Sequence, residues 1–202
     1  LKLALSNVTL ELMPVGIPKM EQAFRAAGLT VERINLPPKR STLMAASGEI
    51  DGLFVRLQQY EDLYPTLTKV DVPVYTGLAR IWVNATTECP ESPSGLKDLS
   101  TVYVLGYSSY FHIAEIALSP KIQVANFTQA FRMLLAGRAD FLVAYQAVAE
   151  YFQEKLNLSI KACFEEPLMR LDYYTFLHQK HRHLVPQLES EYRKVFTRVV
   201  AQ

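Results

Sequence analysis

Gly48-Glu49-Ile50-Asp51-Gly52-Leu53-Phe54-Val55, preceded by Ala46-Ser47, returns later in the chain as Gly137-Arg138-Ala139-Asp140-Phe141-Leu142-Val143-Ala144, preceded by Leu135-Ala136. In each copy a helical pattern runs into a Gly able to take the left-handed conformation that closes a helix, and an Asp then precedes a short apolar run. Each copy reads as helix, tight turn, buried strand. One copy lies in each half, so the sequence predicts two similar α/β lobes with a cleft between them, and clefts are where small ligands bind.

Working outward from the first copy, residues 3–5 read as a strand. Residues 18–27 read as a helix with Met20, Ala23, Phe24 and Ala27 on one face, stopped by Gly28. Residues 30–36 alternate as a strand that Pro37-Pro38 breaks, a short helix over 43–47 ends at Gly48, and 50–55 form a third strand. This βαβαβ order is the pattern of a parallel sheet with helices on its faces. Residues 70–84 are rich in β-formers but contain Pro73 and Gly77, which suits an extended crossover with a bend. A turn-rich connector over 88–95 follows.

Around the second copy the pattern resumes: strand 101–105, loop Gly106-Tyr107-Ser108-Ser109, helix to Leu118, strand 122–124, helix 128–136, strand 139–144 and helix 146–155. Residues 158–163 read as the return strand and 172–178 as a further extended piece. The last helix, 184–200, carries Leu184, Leu188, Tyr192, Val195, Phe196 and Val199 at helical spacing and is expected to cover the first lobe. The division expected is therefore a discontinuous lobe, 1–83 with 166–202, and a second lobe, 84–165, joined by two strands that act as a hinge.

The chain has 202 residues, half of them apolar (50%), which is ample for real cores, and a net charge of +1 with both signs interspersed. No strong field argues for nucleic acid or an acidic membrane surface, and no apolar run approaches the roughly 20 residues of a spanning helix. Residue 1 opens directly on the strand-like Leu1-Lys2-Leu3-Ala4-Leu5, so a processed or trimmed amino terminus is expected. The two cysteines permit one disulfide. If the segments that carry Cys89 and Cys163 are the strands joining the lobes, they run side by side and the sulfurs meet, which implies an oxidising compartment. Two buried free thiols in a reducing one are the alternative.

In parallel α/β sheets the ligand sits outside the carboxyl ends of the strands, where loops lead into helix amino termini. That rule names Asn7, Arg56, Tyr75 and Arg80 in the first lobe, and Tyr107, Ser108, Ser109, Phe127 and Tyr145 in the second. The loop containing Ser108 and Ser109 offers N–H groups and hydroxyls to an anion, although Ser is also a common helix cap. Arg56, just past a buried strand, would clamp a carboxylate in bidentate fashion, a solvated or lobe-linking ion pair being its other reading. Tyr60 adds an aromatic face with a polar tip. His178, His181 and His183 have spacings that metals use, but Lys180 and Arg182 repel a cation and no carboxylate or Cys is adjacent, so no metal or other cofactor is expected. There is no Gly-x-Ser-x-Gly elbow, phosphate loop or His-Glu-x-x-His helix. Asp51 and Asp140 read as turn-stabilising rather than catalytic.

Taken together, Gly48-Glu49-Ile50-Asp51-Gly52, the crossover Val72-Pro73-Val74-Tyr75, Gly95-Leu96-Lys97-Asp98-Leu99 ahead of Val102-Tyr103-Val104-Leu105-Gly106, and Leu135-Ala136-Gly137-Arg138-Ala139-Asp140 resemble the bacterial extracellular solute-binding proteins of family 3. The resemblance covers nearly the whole chain. It implies the type II periplasmic-binding-protein fold, a periplasmic or secreted location, an ABC-transporter permease as partner, and capture of a small polar solute by hinged lobe closure. The family's amino-acid binders carry an Arg in the first lobe, a Thr or Ser after the Gly of the second-lobe loop, and an Asp five residues past the Gly-x-x-Asp phrase for the α-amine. Here the loop position is Ser108, the Asp position is Tyr145, and the Arg position falls near Leu63 with Arg56 as an unmatched substitute.

The expected function is accordingly a non-enzymatic, monomeric solute binder for an anionic or aromatic-containing solute rather than an ordinary α-amino acid. An extracytoplasmic sensor domain of a signalling receptor is the second reading. An enzyme on the same fold is the third, and it lacks a convincing titratable pair.

Overall fold

The computed structural model of the chain describes residues 1–5, 9, 13, 16–104 and 121–196. The chain forms two compact units, one made of Leu1–Thr76 and Leu171–Ala201, the other of Gly77–Arg170. The crossings fall at 76/77 and 170/171, not at 83/84 and 165/166 as the sequence suggested. Both lie inside strands, so no change of composition marks them.

In the first unit β1 (Lys2–Leu5) pairs in parallel with β2 (Glu32–Asn35) on one side and with β3 (Gly52–Leu57) on the other. β3 is flanked by the antiparallel β10 (Met169–His178), which also pairs with the short β4 (Leu67–Lys69). Helices α1 (Gly16–Ala26), α2 (Pro38–Ser47), α3 (Tyr60–Leu63) and α6 (Val185–Val195) complete the unit. Because side chains alternate along a strand, Leu3, Leu5 and Phe54 enter one core with Ile17, Met20 and Phe24 of α1 and Leu188 and Tyr192 of α6. Ala4 and Leu53 enter the opposite core with Ala45 of α2 and Phe176. β1 and β3 are thus covered on both faces, as parallel strands require.

In the second unit β5 (Tyr75–Asn84) is antiparallel to β8 (Phe141–Tyr145), which is parallel to β6 (Thr101–Val104), itself parallel to β7 (Lys121–Val124). α4 (Phe127–Leu135) buries Phe127, Ala130, Phe131 and Leu134, and α5 (Gln146–Leu156) buries Val148, Ala149 and Phe152. The rings of Phe127 and Phe131 lie 5.8 and 5.5 Å from that of Phe152, so the two helices share an aromatic core.

Several sequence expectations are corrected. Residues 158–163 are not the return strand: β9 (Ile160–Ala162) pairs with Trp82–Asn84 of β5 inside the second unit, and β10 makes the return. The stretch read as a bent crossover contains a regular ten-residue strand from Tyr75, with Gly77 accommodated in it and Pro73 left outside. β4 and α3 lay in a segment to which the sequence assigned no element. The last helix runs Val185–Val195, and residues 197–200 of the expected helix lie outside the described residues.

Candidate functional site

The two copies of the repeated phrase perform the same local task. Gly48 (φ 80°) and Gly137 (φ 64°) both take the left-handed conformation, where a side chain would be strained. The Asp that follows each then closes a reciprocal pair of hydrogen bonds with the residue at the start of its unit's leading strand. Asp51 N–H donates to the Lys2 carbonyl at 2.8 Å, and Lys2 N–H donates to Asp51 Oδ2 at 2.8 Å. Asp140 N–H donates to the Ser100 carbonyl at 3.0 Å, and Ser100 N–H donates to Asp140 Oδ2 at 2.7 Å. Each carboxylate therefore stitches the incoming strand to β1 or β6. Asp51 does more: Oδ1 also accepts from His181 Nε2 at 2.6 Å and pairs with Lys180 at 2.9 Å. Burial alone would raise its pKa, but the hydrogen bonds from His181, Lys2 N–H and Lys180 outweigh it and hold the carboxyl well below the usual carboxylate range.

In the first unit the carboxyl edge of the parallel strands carries Arg56, in β3, only 8% exposed. Its Nη1 donates to the Val55 carbonyl at 2.7 Å and its Nη2 to Ser41 Oγ at 2.7 Å, and the guanidinium stands 5.9 Å above the ring of Tyr60. Tyr60 in turn packs against Phe176 and Tyr64. Arg56, Ser41 and Tyr60 are one assembly. Tyr75, at the start of β5, has its ring 5.6 Å from Tyr173, and beside that pair Thr76 Oγ1 donates to Asp172 Oδ1 at 2.5 Å.

In the second unit Arg80 is held from two directions. Its Nε donates to Gln146 Oε1 at 2.9 Å, at the first turn of α5, and its Nη1 donates to the carbonyls of Phe164 and Glu165 at 3.1 and 2.5 Å. Tyr145 ends β8 at 5% exposure and precedes α5. Phe127, expected at the ligand, is a core residue at 3% exposure, because it begins the apolar stripe of α4. Before it, Asn126 Oδ1 accepts from Gln129 N–H at 3.0 Å while Gln129 Oε1 accepts from Ala125 N–H at 3.1 Å, a near-reciprocal cap that occupies the loop's polar side chains. Cys89 and Cys163 form a disulfide within this unit, with Cα atoms 5.3 Å apart. Its basis differs from the expectation: β5 and β9 do run side by side, but within the second unit rather than as the joining pair.

Asn7, Tyr107, Ser108 and Ser109 lie outside the described residues. Of the remaining candidates, the structure joins Arg56 to Tyr60 in the first unit and, in the second, bonds Arg80 to Gln146, the residue that follows Tyr145. The sequence reading missed Ser41, Gln146 and Asp172, the polar partners of Arg56, Arg80 and Thr76. Each is a single polar residue far along the chain from its partner, and no local pattern reports such pairs. Two of the three clustered histidines have structural partners: His181 bonds Asp51, and His178 Nδ1 accepts from Lys180 N–H at 3.3 Å.

No protein-family model matches the sequence, and no curated protein is found similar to it. Solved structures are similar in fold. The arginine-bound form of truncated ArgBP from T. maritima is similar over 89% of this chain and 84% of that one, at 16% identity and a TM-score of 0.71. The substrate-binding protein of an amino acid ABC transporter is similar over 92% and 87%, at 15% identity and a TM-score of 0.69. The GluR0 ligand-binding core in complex with L-glutamate is similar over 91% and 84%, at 15% identity and a TM-score of 0.78. The chain has the type II periplasmic-binding-protein fold of these binding proteins, as the resemblance to the solute-binding proteins implied.

Proposed function

We propose that this chain is a non-enzymatic solute-binding protein that captures a small polar organic solute by hinged closure and presents it to the permease of an ABC-type transporter, in the periplasm or outside the cell. The observation that carries the reading is the fold, shared over most of both chains with proteins described as arginine-bound, as an amino acid transporter's substrate-binding protein and as bound to L-glutamate. The disulfide agrees with an oxidising compartment. Among the described residues no helix is long and apolar enough to cross a membrane.

The ligand of this reading is anionic or aromatic rather than an ordinary α-amino acid. Tyr145 stands where the resemblance would place the carboxylate for an α-amine, and a phenol does not neutralise an ammonium. Arg56, Tyr60, Tyr75, Arg80 and Tyr145, with Asn7, Tyr107, Ser108 and Ser109, remain the proposed ligand contacts. Phe127 is left out of that set because its side chain is buried at 3% exposure on the apolar stripe of α4. A second reading, an extracytoplasmic sensing domain of a signalling receptor, draws on the likeness to a protein described as a ligand-binding core.

Thermal-shift screening of protein freed of co-purified ligand, against amino acids, dicarboxylates, aromatic acids, polyamines, short peptides and sugars, tests the reading. A ligand at a hundredfold over its Kd adds about 2.7 kcal/mol and raises Tm by roughly 5–10 °C. A dicarboxylate or aromatic acid giving that shift is the expected result. A shift confined to α-amino acids overturns the ligand class, and silence across the library overturns the function.

A further inference from the structure

Arg80 of β5 is a half-buried cation whose hydrogen bonds all go to neutral oxygens. Of the five N–H groups of a guanidinium, three are taken: Nε by Gln146 Oε1, and Nη1 by the carbonyls of Phe164 and Glu165. Among the described residues Nη2 donates to nothing and the side chain makes no ion pair. Neutral acceptors return only part of the free energy lost when a charge leaves water, so a partly buried arginine ordinarily recruits a carboxylate.

Carboxylates are at hand and are not used. Glu165 and Glu166 are exposed, and Glu165 meets Arg80 through its main-chain carbonyl. Gln146 Nε2 donates to Glu150 Oε1 at 2.8 Å, which turns its amide oxygen to Arg80 at the place where a Glu would carry a charge. The guanidinium is also held still. Cys163 N–H donates to the Ile81 carbonyl at 2.9 Å and Leu168 N–H to the Ala79 carbonyl at 2.8 Å, so residues 163–168 leave β5 on one side of Arg80 and rejoin it on the other. The disulfide to Cys89 anchors one end of that loop, and the loop's carbonyls fix Nη1. A cation held in this way binds an anion without first ordering its own side chain. Arg56 is placed differently: it is 8% exposed, and both its Nη atoms already donate, to the Val55 carbonyl and Ser41 Oγ.

We propose that Arg80 is the residue that meets the negative charge of the solute, its Nη2 donating to a carboxylate oxygen. The assignment rests on the solute-binding reading above and moves the charge contact from Arg56 to Arg80. With Nε and Nη1 committed, the contact runs through one nitrogen and not through the bidentate fork expected of Arg56.

Isothermal titration calorimetry of the chain, freed of co-purified ligand, tests this with succinate and phenylacetate as probes and with succinamide and phenylacetamide as their uncharged matches. At least one acid is expected to bind at least about tenfold more tightly than its amide, and to lose at least about tenfold in affinity in Arg80→Gln and in Gln146→Glu. Gln146→Glu sets a carboxylate against Nε, supplying from within the charge the solute supplies, and leaves both loop carbonyls on Nη1. It should therefore melt within about 3 °C of the parent, and it decides the matter even where Arg80→Gln does not fold. An acid that binds Gln146→Glu as tightly as the parent overturns the proposal and leaves Arg80 a clamp on its loop. Acid and amide bound alike, or neither acid bound, overturns it as well. The wider screen separates that failure from failure of the solute-binding reading, because a neutral or cationic solute found there keeps the binder and removes the anion from Arg80.

Discussion

At Asp51 one carboxylate accepts from Lys2 N–H, His181 and Lys180, whereas at Asp140 the corresponding carboxylate accepts only from Ser100 among the contacts described. Removing Asp51 leaves His181 without its acceptor and Lys180 with only the Gly48 carbonyl, as well as an open backbone stitch. Asp51→Ala should therefore cost about 2–3 kcal/mol and Asp140→Ala about 1 kcal/mol, measured by urea unfolding. The pH dependence follows from the direction of the shift. A carboxyl whose folded pKa is depressed binds fewer protons in the folded state, so its stabilisation is complete above the unfolded value near 4 and is lost as pH falls below it. Wild type should lose stability between about pH 5 and 2 more steeply than Asp51→Asn; equal slopes would remove the carboxylate from the account. The phrase also differs between its copies at one instructive place. Gly52 stands where the second copy has Phe141, because a Cβ at Gly52 would lie 2.2 Å from the Phe176 carbonyl oxygen of β10. Gly52→Ala should cost at least about 3 kcal/mol through loss of the β3–β10 pairing, and the same measurement checks it.

At the scale of elements, α6 is locked to the sheet by one polar junction. Thr175 Oγ1 donates to the Phe54 carbonyl at 2.8 Å and shares a 2.9 Å hydrogen bond with the Tyr192 hydroxyl, which is wholly buried, so burial pushes that phenol well above its ordinary pKa. Tyr192→Phe should cost about 1 kcal/mol and Thr175→Val about 2 kcal/mol, since the latter also strands the Phe54 carbonyl; a calorimetric Tm series checks the order. The helix itself was legible in the sequence, because Leu188 and Tyr192 fall at helical spacing and Val185 opens the same face. So were β3 and β8, as unbroken apolar runs after a Gly. What misled was the role of short strands. Residues 158–163 look like a joining strand, yet Ile160–Ala162 add only to β5, and nothing in a three-residue run reports its partner. The partners of Arg56 and Arg80 were illegible for the same reason. Ser41 and Gln146 are defined by tertiary contact, and a lone polar residue near a helix start usually signals nothing more than a cap.

At the scale of the molecule, two repeats of one helix–turn–strand phrase build two α/β units of one chain, and the order of those phrases made the fold readable where identity to the solved structures of similar fold is only 15–20%. The disulfide spans 74 residues of sequence inside the second unit. Closing so long a loop stabilises by about 4 kcal/mol, so Cys89→Ser with Cys163→Ser should lower Tm by roughly 10 °C, and a reductant should do the same to the wild type but nothing to the variant. As proposed, the molecule captures a solute and leaves it chemically unchanged. Isothermal titration calorimetry with the screened ligand, followed by analysis of the recovered ligand, tests it most directly. Saturable one-to-one heat, a negative heat-capacity change and quantitative recovery of intact ligand are expected. Absence of heat, or conversion of the ligand on incubation with the protein, would contradict it.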